Sequence, residues 1–131
     1  MEKMKLKIKT VVNSALSLGV LGDLEGLDGK VTYGISRMLS SVNPVLESFN
    51  KAKNALAKKY GETVKDENGN EKGREIKPEK REAFEAEIES LLDGEEEVIK
   101  YDVPLSALLD DKGRCKVDAI VLSNLEWCIK E

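Results

Sequence analysis

Histidine is absent from these 131 residues, and that single absence removes more chemistry than any residue present supplies. Without imidazole there is no Ser-His or Cys-His nucleophile pair, and the commonest zinc ligand is missing. Cysteine is almost as scarce. Cys115 and Cys128 stand alone late in the chain, too few for a disulfide framework or a thiolate cluster. Aromatics reach 5% while charged residues reach 35%, which points to a thin core under a large solvated surface. No apolar run approaches the roughly eighteen residues of a membrane span. The lysines of MKLKIK alternate with apolar residues instead of preceding an apolar run and a cleavage site, so no secretory signal is expected. Carboxylate pairs are plentiful only because the chain is acidic, so none marks acid–base catalysis. The expectation is a non-enzymatic protein of a reducing cytoplasm, with no catalytic residue, no metal, no cofactor and no membrane contact.

The length suits one domain spanning 1–131. Net charge is −4, unevenly spread: residues 1–60 hold ten Lys/Arg against five Asp/Glu, and residues 61–131 hold eleven against twenty. A mild overall charge argues against a dedicated nucleic-acid binder. Two readings of the asymmetry compete: an acidic half folded onto a basic half, or two charged faces for two partners. Short connections between helices favour the first.

The chain is organised around the stretch 29–61. There Ile35, Leu39, Val42, Leu46, Phe49, Leu56 and Tyr60 recur at steps of three, four and seven, the helical period. Such a helix would run roughly 45 Å. Asp28 or Thr32 can open it, and Gly61 can close it. Pro44 deletes one helical hydrogen bond, which demands either a kinked continuous helix or a break with Asn43 capping a second one. The apolar register running through Pro44 favours the kink.

The shorter pieces follow from local pattern. Residues 3–10 alternate lysine with Met4, Leu6 and Ile8, the strand period, and lysines also protect a sheet edge. A basic arm for phosphate backbones lacks arginine and interleaved aromatics. Thr10 or Asn13 can cap a short helix to about Leu18. The glycines at 19, 22, 26 and 29 then predict a loop whose leucines fold back on the core. That loop matches no phosphate-binding pattern, and Asp23, Glu25 and Asp28 would repel phosphate. Asn68-Gly69 within a polar stretch predicts an exposed hairpin; its acids fail the EF-hand spacing. Pro78 opens a helix to about Leu92 with Phe84, Ile88, Leu91 and Leu92 on one stripe, its acids placed to meet Lys51–Lys59. Residues 98–103 read as a strand pairing with the first one. A helical turn over 105–109, a turn at 110–114 and a terminal helix from about Lys116 to Ile129 complete the chain. In that last helix Val117, Ile120, Val121, Leu125 and Cys128 face inward. Trp127 reads either as core or as an interface anchor.

These segments resemble a family of small bacteriophage proteins catalogued only as a domain of unknown function. The resemblance rests on the opening MKLKIKTVVNSALSL, the central TYGISRMLSSVNPVLESFNKAKNALAKKYGE, the late VPLSALL and the terminal LEWCIKE, in that order. The glycine-rich insert 19–29 departs from the shorter linker of that pattern. The resemblance implies a phage or prophage product in a bacterial host cytoplasm, and it carries over no site residues.

The expected fold is α+β and predominantly α-helical: a long kinked helix in a helical hairpin, a small antiparallel sheet from residues 4–9 and 98–103, and a C-terminal helix. The expected function is that of a phage accessory protein working through protein–protein contact, including inhibition of a host or defence factor. Its alternatives are a virion or assembly component of the tail or head-joining region, and a sponge for a small nucleotide. A long amphipathic helix over a thin core invites a homodimer. Tyr33, Arg37 and Met38, beside the glycine-rich loop, and Trp127 are the expected binding residues.

Overall fold

The computed structural model describes the backbone of all 131 residues and the side chains of all but residues 63–65, 71, 72 and 74. The fold is α+β and predominantly helical. Strand β1 (Glu2–Lys7) leads straight into helix α1 (Ile8–Gly22), and a loop then turns into helix α2 (Gly29–Tyr60). A hairpin of β2 (Gly61–Lys65) and β3 (Glu71–Ile76) connects α2 to helix α3 (Pro78–Leu92). Strand β4 (Glu95–Lys100), the short strand β5 (Val103–Pro104) and a 3₁₀ turn (Leu105–Leu108) follow. Helix α4 (Ala119–Asn124) and strand β6 (Ile129–Lys130) end the chain.

Helix α2 runs unbroken through Pro44 for 32 residues, so the one-helix reading holds. Asp28 caps it, its carboxylate accepting from the Lys30 amide at 3.0 Å. Near the proline the helix is anchored from outside. The Ser41 hydroxyl donates to the Met38 carbonyl at 2.8 Å and accepts from the Ile99 amide at 2.9 Å. That tie fastens the outer edge of β4 to α2 one turn before the position where Pro44 cannot donate.

The antiparallel sheet forms, but displaced from the expected residues 4–9 and 98–103. Lys7 pairs with Glu95 and Glu2 with Lys100. Charge moved the register: Glu95 and Glu97, poor strand formers, lie opposite Lys7 and Lys5, where opposite charges stabilise a cross-strand pair. Lys3 reaches Glu97 at 3.7 Å. The other face of the same strands carries Leu6 and Val98 into the core.

Three further expectations are corrected. Helix α1 begins at Ile8, not at a Thr10 or Asn13 cap, because the Ile8 amide finds the Gly94 carbonyl at 2.8 Å. It also continues through Gly19 to Gly22, since burial of Leu18 and Leu21 against α2 outweighs the glycine cost. The terminal helix expected over 116–129 shrinks to the six residues of α4. There the chain must turn back so that Ile129 can pair in parallel with Val103, and Ile120, expected inside, is 67% exposed.

The core joins α1, the first half of α2, the β1–β4 sheet and the C-terminal segment. Val11, Leu18, Ile35, Met38, Val42, Val98, Leu108 and Leu125 are buried in it. Tyr101 lies flat on Gly34, where any side chain carbon would meet its ring. Beyond Phe49, α2 leaves this core and continues into an arm made with the β2–β3 hairpin and α3, a helix with no buried residue.

The two hairpin tips share one construction. In Asp66–Asn70 and again in Asp110–Arg114, the aspartate Oδ1 accepts two backbone amides at 2.9 Å. Each tip also places a glycine at positive φ, Gly69 at 81° and Gly113 at 78°. The carboxylate nucleates the turn, and the glycine supplies a backbone conformation that a side chain would strain.

Candidate functional site

Of the four expected binding residues, two are brought together at the surface and two go inward. Helix α2 presents Tyr33 and Arg37 one turn apart, so both side chains project from the same face. The outer face of the β1–β4 sheet supplies Lys3 and Ile99, a directly opposed pair. With Met1 these residues line a shallow cleft of about 280 Å³. Tyr33 is 61% exposed. Lys3 shares its charge with Glu97, whereas Arg37 forms no ion pair among the described residues. The cleft thus offers an aromatic face, a free guanidinium and a half-buried isoleucine floor. It suits a ligand with an apolar or planar group next to negative charge.

Met38 is corrected: it is 0% exposed, in the middle of the core, because its position on α2 faces α1 and the sheet instead of the Tyr33–Arg37 face. Trp127 is half-buried and packs on the core. Its indole Nε1 donates to the Ser14 hydroxyl at 2.9 Å. Ser14 in turn donates to the Thr10 carbonyl at 2.6 Å, and Asn124 Nδ2 donates to Ser17 Oγ at 3.2 Å. These buried serines of α1, unremarkable in the sequence, hold the C-terminal segment in place. The only advance signal is that a lone tryptophan inside needs an acceptor.

A second surface feature runs from the edge of the body onto the arm. An apolar groove follows α2 past Pro44, Ser48, Ala52 and Ala55; Ile8 and Glu96 wall its near end, and Leu91 and Ser90 of α3 wall the rest. It comprises two adjoining hollows of about 330 and 400 Å³ that share Ala52 and Leu91. At its far end Lys59 meets Glu87 at 3.5 Å. The Tyr60 hydroxyl beside it, then Lys59, hold the Glu87 carboxyl below its ordinary range. Lys59 is raised in turn by Tyr60 and by Glu87. Glu87 Oε2 is enclosed without a hydrogen-bond partner. The Tyr60 ring meets Phe84 edge-on at 6.3 Å.

The cysteines stand apart chemically. Cys115 is exposed and Cys128 buried, and burial pushes the Cys128 thiol up to about 12, so it stays protonated and unreactive at neutral pH. Among the described residues no group of three His, Cys, Asp or Glu is placed to hold a metal ion, and no helix is long and apolar enough to cross a membrane. Comparison with family models, curated proteins and solved structures finds no match.

Proposed function

We propose that this chain is a non-enzymatic binding protein, a bacteriophage accessory product that works in the host cytoplasm by gripping another protein. The observation that carries the reading is the pairing of an exposed Tyr33 with an ion-pair-free Arg37 over Ile99. Exposed tyrosine and arginine side by side are the residue types that anchor interfaces. The phage setting is supported by the resemblance of the opening, central and terminal stretches described above. The recognised segment would be acidic with an apolar or aromatic neighbour, since Arg37 and Lys3 flank the cleft.

The test is a photo-crosslinking amino acid at position 33 in infected cells, with purified virions analysed by mass spectrometry alongside. The expected result is one crosslinked host protein, lost with Arg37→Glu, and no stoichiometric copies in virions. Abundant virion copies without a host crosslink would replace the reading with a structural role in the particle. The same cleft favours a second reading, a nucleotide sponge, because a base can stack on Tyr33 while Arg37 and Lys3 meet phosphate. Heat on titration with nucleotides, lost with Tyr33→Ala, would select it.

A further inference from the structure

We propose that the groove on the arm is a homodimer interface, in which α2 and α3 of two copies stack into a four-helix bundle around a two-fold axis along the helices. The two helices run antiparallel: Tyr60 meets Phe84 and Lys59 meets Glu87, while Ala52 near the other end lies against Leu91. Small side chains border the groove and the exposed face beside it. On α2, Ser48, Ala52 and Ala55 follow one another at steps of four and three; on α3, Ala83, Ala86 and Ser90 do so at steps of three and four. Small side chains let a second pair of helices approach closely, and the apolar floor beneath them is what such a layer would cover.

Charge identifies the occupant. The segment of α2 from 44 to 60 carries Lys51, Lys53, Lys58 and Lys59 against Glu47, and α3 carries five glutamates against Lys80 and Arg81. The two charges are therefore equal and opposite, +3 and −3. Yet the two helices scarcely neutralise each other within one chain. Among the described residues only Lys59–Glu87 joins them, while Lys51, Lys58, Glu82 and Glu89 stay exposed.

A face with one basic and one acidic half is complementary to a copy of itself, as a two-fold interface requires. The direction of the axis also follows. An axis across the helices would set lysine rim on lysine rim. An axis along them sets the basic α2 of one copy over the acidic α3 of the other, with every neighbouring pair of helices antiparallel. Electrostatics selects the second. The Tyr33–Arg37 cleft lies on the opposite half of α2 and is left open.

The experiment is sedimentation velocity of the full chain across micromolar concentrations, with helicity followed by circular dichroism. Wild type is expected to sediment as a dimer. Ala55→Arg, at an exposed helix position, is expected to sediment as a monomer with unchanged helicity. Lys51→Glu/Lys58→Glu is expected to weaken association roughly tenfold or more. Adding Glu82→Lys/Glu89→Lys to it, at the exposed acids of α3 nearest in level to Lys58 and Lys51, is expected to restore association. A wild-type monomer overturns the proposal and leaves the groove to a foreign helix. A dimer indifferent to Ala55→Arg overturns it as well, as does a charge reversal that the compensating pair fails to rescue.

Discussion

The two halves of α2 are helix of the same kind, yet they live in different surroundings. From Val31 to Val42 the helix is buried against α1, β4 and the C-terminal segment, with Ile35, Met38 and Val42 sealed from solvent. Past Phe49 it runs alongside α3 and a hairpin, and α3 buries no residue completely. The body is thus held by apolar area removed from water. The arm is held by half-covered side chains, one aromatic edge contact and exposed ion pairs such as Lys77–Glu62 at 3.0 Å. Burial stabilises in proportion to area, whereas exposed ion pairs add little. One continuous helix therefore spans a firm region and a soft one, and its soft end is where a partner has most apolar surface left to cover.

The largest test of that contrast is a pair of truncations. Met38→Ala should cost about 2–5 kcal/mol in urea unfolding, as deletions from close-packed cores do. Ile88→Ala on the half-exposed stripe of α3 should cost about 1 kcal/mol or less, its area being partly wet already. Equal losses would mean the arm is as well packed as the body.

Next in size is a pH dependence that belongs to the body alone. The Cys128 thiol lies above its reference of 9.0, at about 12, because burial disfavours the thiolate. The folded state therefore holds its proton more tightly than the unfolded chain does. The stabilisation is complete below about pH 9 and is lost as pH climbs toward about 12, at about 1.4 kcal/mol per unit. Wild type should accordingly lose its advantage over Cys128→Ala between pH 9 and 11, read from paired denaturation midpoints. A constant gap would show that this thiol is not desolvated.

The smallest effect expected is confined to the arm. Lys59→Ala should leave the denaturation midpoint almost unchanged, since its ion pair is exposed. It should, however, speed amide hydrogen exchange in α3 relative to α1, because locally opening segments respond to weak contacts first. Uniform acceleration across both helices would abolish the distinction between arm and body.

Much of this arrangement was legible in advance, for identifiable reasons. Helix α3 was readable to the residue because Pro78 starts it and Asp93-Gly94 stop it. Helix α2 was readable because its apolar stripe from Ile35 to Tyr60 keeps one register for about seven turns. The hairpin tip at Gly69 was readable from Asn-Gly chemistry. The β1–β4 register was not, since alternation in MKLKIK fits pairing at several offsets, and only opposing Glu95 and Glu97 against lysines chose one. The candidate site was half legible. Tyr33 and Arg37 sit on the polar side of the helical period, but Met38 belongs to the apolar stripe and went to the core. Lys3 and Ile99, distant in sequence, could join them only through the sheet.

By itself the sequence determined where helices can start and stop, which face of each is apolar, and that imidazole chemistry has no residue to perform it. These are properties of neighbouring residues and their spacing, carried by dihedral preference and side-chain type. Tertiary structure decided the rest. It cut the terminal helix to Ala119–Asn124 so that Ile129 could reach Val103, and it turned Ser14 and Ser17 into buried anchors for Trp127 and Asn124. It also set Lys3 beside Arg37 and left a bipolar groove on the arm. Each of these depends on what lies opposite in space, and free energy gained across a contact is not written in either residue alone.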